Sequence, residues 1–597
     1  MTTPGAASCV SELVPSTSVL LSLPVEVVER ILTSSNPRDV ARFAYTCQYA
    51  HKLVYEPNDQ FLWRELYLGR PFDDLRKAVP VPKGQPIPSD AEIEGSPVPQ
   101  DSSGSTDDES QLPWRSELQR RVQAEIVAGS GTRDARRLQA AYEAFLTAIE
   151  TAAPAMSPSE LGVESKGADG KATGSGDSQG DATTTVDSDA SVARSENIHW
   201  VDRILRKTKL LDLVPAYTGA IVDIPSLEDL QTPGTESESE SAAGSTSHTP
   251  GNSEDSHLLH PGPTLTQTAK KPVESAQAQK VNDAYDASDV CWIPAHFRQA
   301  HQLRSRLRAC VALAHESSFD GDSRARMERL RRASRTFVYD MRKYRRETLW
   351  GPFRTADDER TVLVDWEHVE HILNVVGLKL REVPLASLGF YKKPLFQLDA
   401  LRANSMVGVR DLPKGDWAGV TGRWRRFVCF MDYRDLYMFN YSLLPPGPHD
   451  PSFFDDPFDE ALRPVELHLT LISSKEYFSE PHKVPIDPSV PVSSPEAKVP
   501  GKRPIADCDD PAFPTLYFKG DSHAAAATVR GKVSVLSDGA VRWQFVTTYD
   551  GRMQWSAEGV QLGHARSAAG IAGIWTGAHH ERDDPAGPFW MVKLQDI

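Results

Sequence analysis

Two hydrophobic patterns run along the 597-residue chain, and they occupy different parts of it. Up to about Val376, apolar side chains recur every three or four positions. "RLQAAYEAFLTAIE" aligns Leu138, Tyr142, Phe145, Leu146 and Ile149 on one stripe. "HFRQAHQLRSRLRACVALAHE" aligns Leu303, Leu307, Val311 and Ala314, and "ARMERLRRASRTFVYDMRKYRRETLW" aligns Met327, Leu330, Phe337, Met341 and Tyr344. That is the spacing of helices with one buried face. From Val407 onward the period shortens to two. "WRRFVCFMD", "RDLYMFNYS" and "PVELHLTLIS" are followed by "TLYFKGD", a long run from Ala527 to Gly563, "GIAGIWTGA" and "GPFWMVKL". Asp538-Gly539 and Asp550-Gly551 interrupt the long run where hairpin turns need positive φ. Between them Val541, Trp543 and Phe545 point one way and Arg542 and Gln544 the other; Met553 and Trp555 share a face on the next strand. About eight short antiparallel strands in succession leave exposed edges unless the sheet closes, which predicts a barrel.

Pro-, Ser- and acid-rich stretches at Pro80–Pro113, Thr151–Glu196, Thr232–Ser288 and Pro481–Pro511 separate these blocks. Their low hydrophobicity cannot offset the entropy of ordering, so they read as disordered linkers. The chain is therefore an α+β multidomain protein. An N-terminal helical module spans 21–70, and a linker spans 71–113. Helical fragments occupy 114–230 around a disordered insert at 151–196, and a second linker spans 231–288. A helical region spans 289–380, and an antiparallel β-barrel spans 405–597 with a loop insert at 481–511.

The net charge of −16 argues against a general nucleic-acid or anionic-membrane binder, since phosphate contacts need basic surface. One helix is strongly basic, with Arg329, Arg331, Arg332, Arg335, Arg342, Lys343, Arg345 and Arg346. It reads as the solvated face opposite an apolar stripe, with an import or nucleic-acid patch as the alternative. Six scattered cysteines without a C-x-x-C pair fit a reducing compartment. No basic leader and no long uncharged apolar run appear, so a soluble cytoplasmic or nuclear protein is expected.

The first block is dense with signals. Leu23-Pro24 precedes a helix with apolar Val27, Val28, Ile31 and Leu32; Asn36-Pro37 starts a second helix, with Val40, Phe43 and Ala44 on its stripe. Cys47, Tyr49, Leu53 and Val54 follow, and "NDQFLWRELYL" closes the block. About 45 residues make a marginal core, and the first helix has more apolar residues than a three-helix core needs. The surplus implies a patch that a partner covers.

This block resembles the F-box. The match rests on Leu23 and Pro24, the "EVVERIL" helix, Asp39-Val40, Cys47 and the closing Leu62-Trp63. One departure is "YAHKL", where that family places a Trp; Tyr49 or His51 is left to fill the space. The C-terminal block resembles the barrel of the F-box-only protein thirty-one family and its fungal relatives, known there as a cyclin-D-binding region. "GRWRRFVCFMDYRDLYMF", "GIAGIWTGAHHERDDPAGPFWMVKL" and the "VDWEHVEHILNVV" helix carry that likeness. The resemblance implies a three-helix F-box docked on a Skp-type adaptor, and through it on a cullin scaffold. It also implies a barrel that holds a degron-bearing protein substrate for ubiquitylation and proteasomal degradation. Adaptor contacts are then expected at Leu23, Pro24, Val27, Val28, Ile31 and Leu32.

Substrate-binding candidates come from the strand-breaking "WTGAHHERDDPAGPFW": Trp575, His579, His580 and Trp590 offer aromatic walls and polar donors. Arg423, Trp424 and Arg425 add donors for a carboxylate or phosphate. The plain reading is that the tryptophans fill the barrel and the histidines sit on a solvated turn. Adjacent histidines without a supporting Cys do not make a metal site, and the acidic run Asp455, Asp456, Asp459, Glu460 lacks EF-hand spacing. No nucleophile elbow, Walker A sequence, H-E-x-x-H or dinucleotide fingerprint occurs, so no catalytic role and no cofactor are expected. Two alternatives stay open: a small-ligand-binding barrel, and an F-box protein acting outside a ubiquitin ligase.

Overall fold

The computed structural model of the chain describes residues 23–56, 60–77, 112–152, 195–213, 215, 295–312, 321–358, 360–382, 398–404, 413–441, 449–486, 507–508, 510–522, 527–563, 565, 567–581 and 584–594. Most residues of the expected linkers lie outside these; of Pro481–Pro511, residues 481–486, 507–508 and 510–511 are described.

Four short helices open the chain: α1 (Val25–Thr33), α2 (Pro37–Ala44), α3 (Gln48–Tyr55) and α4 (Phe61–Leu68). The count exceeds the expected three because each piece of the block carries its own start signal. Asn36 accepts a hydrogen bond from the Arg38 amide at 3.0 Å, with Pro37 in the first turn. Cys47 Sγ accepts from the Ala50 amide at 3.4 Å. Gln60, at φ 51°, turns the chain into α4.

These helices do not close a core alone. Val28, Leu32, Val40, Leu53, Leu62 and Leu66 join one apolar cluster with α5 (Trp114–Ser130), α6 (Ala135–Glu150), α7 (Glu196–Lys207) and α8 (Ala295–Val311). Residues 71–77, expected in a linker, help make the junction. Phe72 packs edge-on against Trp200 with ring centroids 5.3 Å apart. Asp73 accepts from the Ser195 hydroxyl at 2.5 Å and the Glu196 amide at 2.8 Å, and its own amide donates to Asn197 Oδ1 at 2.9 Å. A buried carboxylate at the start of α7 suits the positive end of that helix.

The basic helix α9 (Gly321–Val338) follows. Three of its arginines meet carboxylates: Arg331 meets Glu328 and Glu382, Arg332 meets Asp455, and Arg335 meets Glu460 at 2.7 Å. Arg342 pairs with Asp340, and the Lys343 ammonium lies 3.7 Å from the Phe337 ring centroid. An unforeseen hairpin, β1 (Phe353–Thr355) with β2 (Val362–Val364), interrupts the helical region. It precedes α10 (Trp366–Glu382) and α11 (Leu398–Ala403).

The C-terminal region is a closed antiparallel barrel of eight strands: β3 (Gly422–Met431), β4 (Glu460–Ile472), β6 (Leu516–Ser522), β7 (Ala527–Leu536), β8 (Val541–Tyr549), β9 (Arg552–Gln561), β10 (Ile571–Gly577) and β11 (Ala586–Lys593). The two-residue β5 (Asp507–Cys508) is added on β7. Both Asp-Gly pairs make the expected turns, with Gly539 at φ 79°, Asp550 at 47° and Gly551 at 77°. Closure satisfies every edge, which is what an eight-strand meander needs.

Inside, Trp424, Trp543, Phe518, Phe545, Ile571, Phe589 and Met591 fill the barrel. One end is plugged by the segment before β3: Trp417 Nε1 donates to the Pro514 carbonyl at 2.7 Å and Gln561 Nε2 to the Ala418 carbonyl at 3.2 Å. Outside, α10 lays Val369, Ile372, Leu373 and Val376 against Phe427, Cys429, Ile574 and Trp590.

Two further expectations need correction. "RDLYMFNYS" is a helix, α12 (Tyr433–Tyr441), with Leu436 and Phe439 buried one turn apart. Asp432 accepts the Arg434 amide at 2.9 Å and starts it. Met553 and Trp555 do not share the interior: the β8–β9 register skips Gln554, and Trp555 alone of the two joins the interior cluster. Among the described residues, no helix is long and apolar enough to cross a membrane.

Candidate functional site

Two surfaces stand out once side chains are placed. The first is on α1. Its sequence is apolar on more than one side, and the core takes only one of them. Val28 and Leu32, four residues apart, are 0 % and 6 % exposed, whereas Val25, Val27 and Ile31 are 43–47 % exposed. Of the expected adaptor contacts, Val28 and Leu32 are therefore corrected: they face the chain's own core. Leu23 is partly buried against that core, and Pro24 is exposed as the residue capping α1. Tyr45 and Tyr49, on the α2–α3 segment, are exposed too.

The second surface is the open end of the barrel. The seven sequence candidates do not converge there. Arg423 and Arg425 lie on the outer wall against Glu466 of β4. Trp424, between them, is buried inside with Nε1 donating to the Val420 carbonyl at 2.8 Å. Trp590 is outside, sealed beneath α10, with Nε1 donating to the Ala569 carbonyl at 2.9 Å. Residues adjacent on a strand face opposite sides, so a contiguous Arg-Trp-Arg cannot form one patch.

His580 stacks on Trp350 at 3.7 Å with the rings 3° from parallel, and its Nδ1 lies 3.1 Å from Thr576 Oγ1. Burial holds its pKa down at about 4, so the ring is neutral at physiological pH. It walls an outer groove of about 400 Å³ with Arg342, Arg345, Tyr441 and Asp584; His579 is exposed. Among the described residues no three His, Cys, Asp or Glu side chains gather as a metal site.

Trp575 does face the barrel mouth. Its Nε1 donates to the Cys429 carbonyl at 3.0 Å, and its ring meets Trp555 edge-on at 5.1 Å. Around it, Val428, Phe430, Val465 and Trp555 belong to the interior cluster yet remain partly exposed, which marks this end as open.

At the floor of this funnel lies Arg426, a residue that reading the sequence passed over. It is 7 % exposed, and its guanidinium carbon sits 4.2 Å from the Phe589 ring centroid and 5.1 Å from that of Phe545. Its Nε and Nη2 are buried without a hydrogen-bond partner among the described residues. Burial lowers its pKa to about 9, so it still carries its charge at neutral pH. The signal was available: Arg426 is in phase with Trp424, Val428 and Phe430, the inward set of β3.

Nothing among protein families, curated proteins or solved structures matches this chain.

Proposed function

We propose that the chain is the substrate-recognition subunit of a ubiquitin ligase built on a Skp-type adaptor and a cullin, with α1–α4 acting as its F-box. The observation that carries this reading is that Val27 and Ile31, one turn apart on α1, are exposed, as are Val25, Tyr45 and Tyr49 of the same helical module. Isolated surface apolar residues are ordinary, but several on one short helical module suit an interface that a partner dries. The barrel supplies the second half of the reading: a closed scaffold with an aromatic mouth, suited to holding part of a protein substrate. The chain does no bond chemistry in this scheme. It raises the effective concentration of substrate near the ubiquitin-charged enzyme. The tightly filled lower barrel speaks against a deep ligand cavity of the lipocalin kind.

The test is affinity purification of the full chain against Val27→Asp and Ile31→Asp. Both variants should lose adaptor and cullin together while keeping the parent's melting temperature. Undiminished adaptor recovery would remove the assignment, and adaptor without cullin would point to an F-box protein working outside a ligase.

A further inference from the structure

We propose that the outer groove between α12 and the β10–β11 turn is a docking site for a protein segment that carries a carboxylate and a cation on either side of an apolar residue. The inference rests on this groove alone and does not require the adaptor reading. The groove is apart from the barrel interior, because it borders Thr576, the outward neighbour of the inward-facing Trp575.

Three stretches of chain wall it. The stretch after α9 gives Arg345 and Trp350, the end of α12 gives Tyr441, and the β10–β11 turn gives His580, Glu581 and Asp584. These walls are clamped together. Asn440 donates Nδ2 to the Tyr339 carbonyl and accepts the Met341 amide, both at 2.9 Å, which fixes α12 to the stretch after α9. The stack of Trp350 on His580 fixes that stretch to the turn. Both stacked residues sit at φ 54°, a left-handed conformation that non-glycine residues rarely take. Two such outliers in contact mark a place whose shape the fold holds against local preference.

The clamped frame carries opposite charges on different walls. Arg345 and Glu581 are both exposed, and neither has an ion-pair partner among the described residues. Arg342 turns to Asp340, and Asp584 accepts the Glu581 amide at 2.7 Å. An occupant of one sign would be drawn by one wall and repelled by the other. An occupant with an acid towards Arg345 and a base towards Glu581 satisfies both. Between the charges, the rings of Trp350 and Tyr441 favour an apolar side chain.

The surface beyond the groove makes the occupant a protein segment and not a small zwitterion. Tyr433, Tyr437 and Tyr441 recur at every fourth residue of α12 and are 40–55 % exposed, with Met438 also exposed. The Tyr437 and Tyr441 rings lie 5.1 Å apart, so the aromatic wall of the groove continues along the helix. Tyrosine, methionine and arginine are the residues that protein interfaces favour.

A displayed library of random heptapeptides, selected on the full chain, tests this. Recovered sequences are made with blocked termini and titrated by fluorescence polarisation. They should carry one acidic and one basic residue around an apolar one. Arg345→Glu and Glu581→Lys should each weaken them about tenfold or more, at the parent's melting temperature. Replacing the peptide's acid by lysine should restore binding to Arg345→Glu, and Tyr437→Ala should weaken every such peptide. Should a reversal unfold the chain, Arg345→Gln and Glu581→Gln are read in its place. Glutamyl-lysine is the small-zwitterion probe. Its binding as tightly as the heptapeptides, or heptapeptides indifferent to Tyr437→Ala, would give the groove to a small molecule and overturn the proposal. So would a selection with no peptide sensitive to both charge variants, sensitive peptides of one sign only, or a swapped peptide that fails to regain binding. Adaptor recovery is read separately, so either reading can fail without the other.

Discussion

Val27 and Val28 are neighbours in the chain, yet one is exposed and the other is buried. Aspartate at Val28 would bury an unpaired charge where the side chain is 0 % exposed. Chemical denaturation should show a loss of at least about 2 kcal/mol. Aspartate at Val27 meets solvent, and stability should stay within about 0.5 kcal/mol of the parent. If both changes prove equally disruptive, α1 packs by a different face. A second contrast lies inside the barrel. A Cβ on Gly531 would stand 2.4 Å from the Gln544 carbonyl oxygen and 2.5 Å from Phe518. Gly531→Ala should therefore cost about 1–3 kcal/mol, read by urea denaturation. Such contacts were not legible in the sequence, because they depend on which aromatic ring lands opposite which glycine on the neighbouring strands. Arg426 was legible in principle. Its phase along β3 puts a charge among inward apolar positions, whereas adjacency in the chain groups Arg423, Trp424 and Arg425 although the strand divides them.

Elements were read well where one period was strong and poorly where two periods fit the same letters. The barrel strands other than β5 follow alternation, with Asp-Gly turns on either side of β8, and their closure followed from the need to pair edges. In "RDLYMFNYS" the apolar letters satisfy both an alternating and a helical template. Asp432 at the start and the helical spacing of Leu436 and Phe439 favour the helix. The junction between the N-terminal helices and α7 was invisible for another reason: Asp73 and Ser195 are 122 residues apart, and no local pattern reports such a pairing. Its weight can be measured. Asp73→Ala would strand the buried Ser195 hydroxyl and leave the Glu196 amide without its acceptor, and should cost about 1–3 kcal/mol. Far-UV circular dichroism during thermal melting should show the helical signal softening before the barrel. An unchanged transition would mean that the apolar contacts of Phe72 with Trp200 hold the junction unaided.

At the scale of the molecule, charge acts through where it is buried. The net charge of the chain is −16. Part of it neutralises the basic helix, whose Arg331, Arg332 and Arg335 meet Glu382, Asp455 and Glu460. Burial weighs against charge on four histidines. Burial holds His301, His371 and His580 down at about 4 and His368 at about 3, all from 6.5. Below pH 6.5 the unfolded chain takes up protons on these rings while the folded chain does not, so the stability they contribute is present above that pH and drains as the pH falls towards 4. The partly buried Glu367 works the other way. Its carboxyl, raised to about 7, favours the folded state at low pH and loses that contribution as the pH rises. One carboxyl opposes four imidazoles, so the balance between pH 6.5 and 4.5 follows the histidines. The urea midpoint should fall from pH 7 to pH 5, and His368→Gln should flatten that slope whatever it does to the midpoint itself. His368 lies within 3.3 Å of the Tyr344 hydroxyl, next to His371 with its Ser334 contact at 2.9 Å. The acid-sensitive group therefore sits where α10 joins the helices to the barrel wall. A midpoint that holds steady or rises over this range would mean these rings take up protons in the folded state after all.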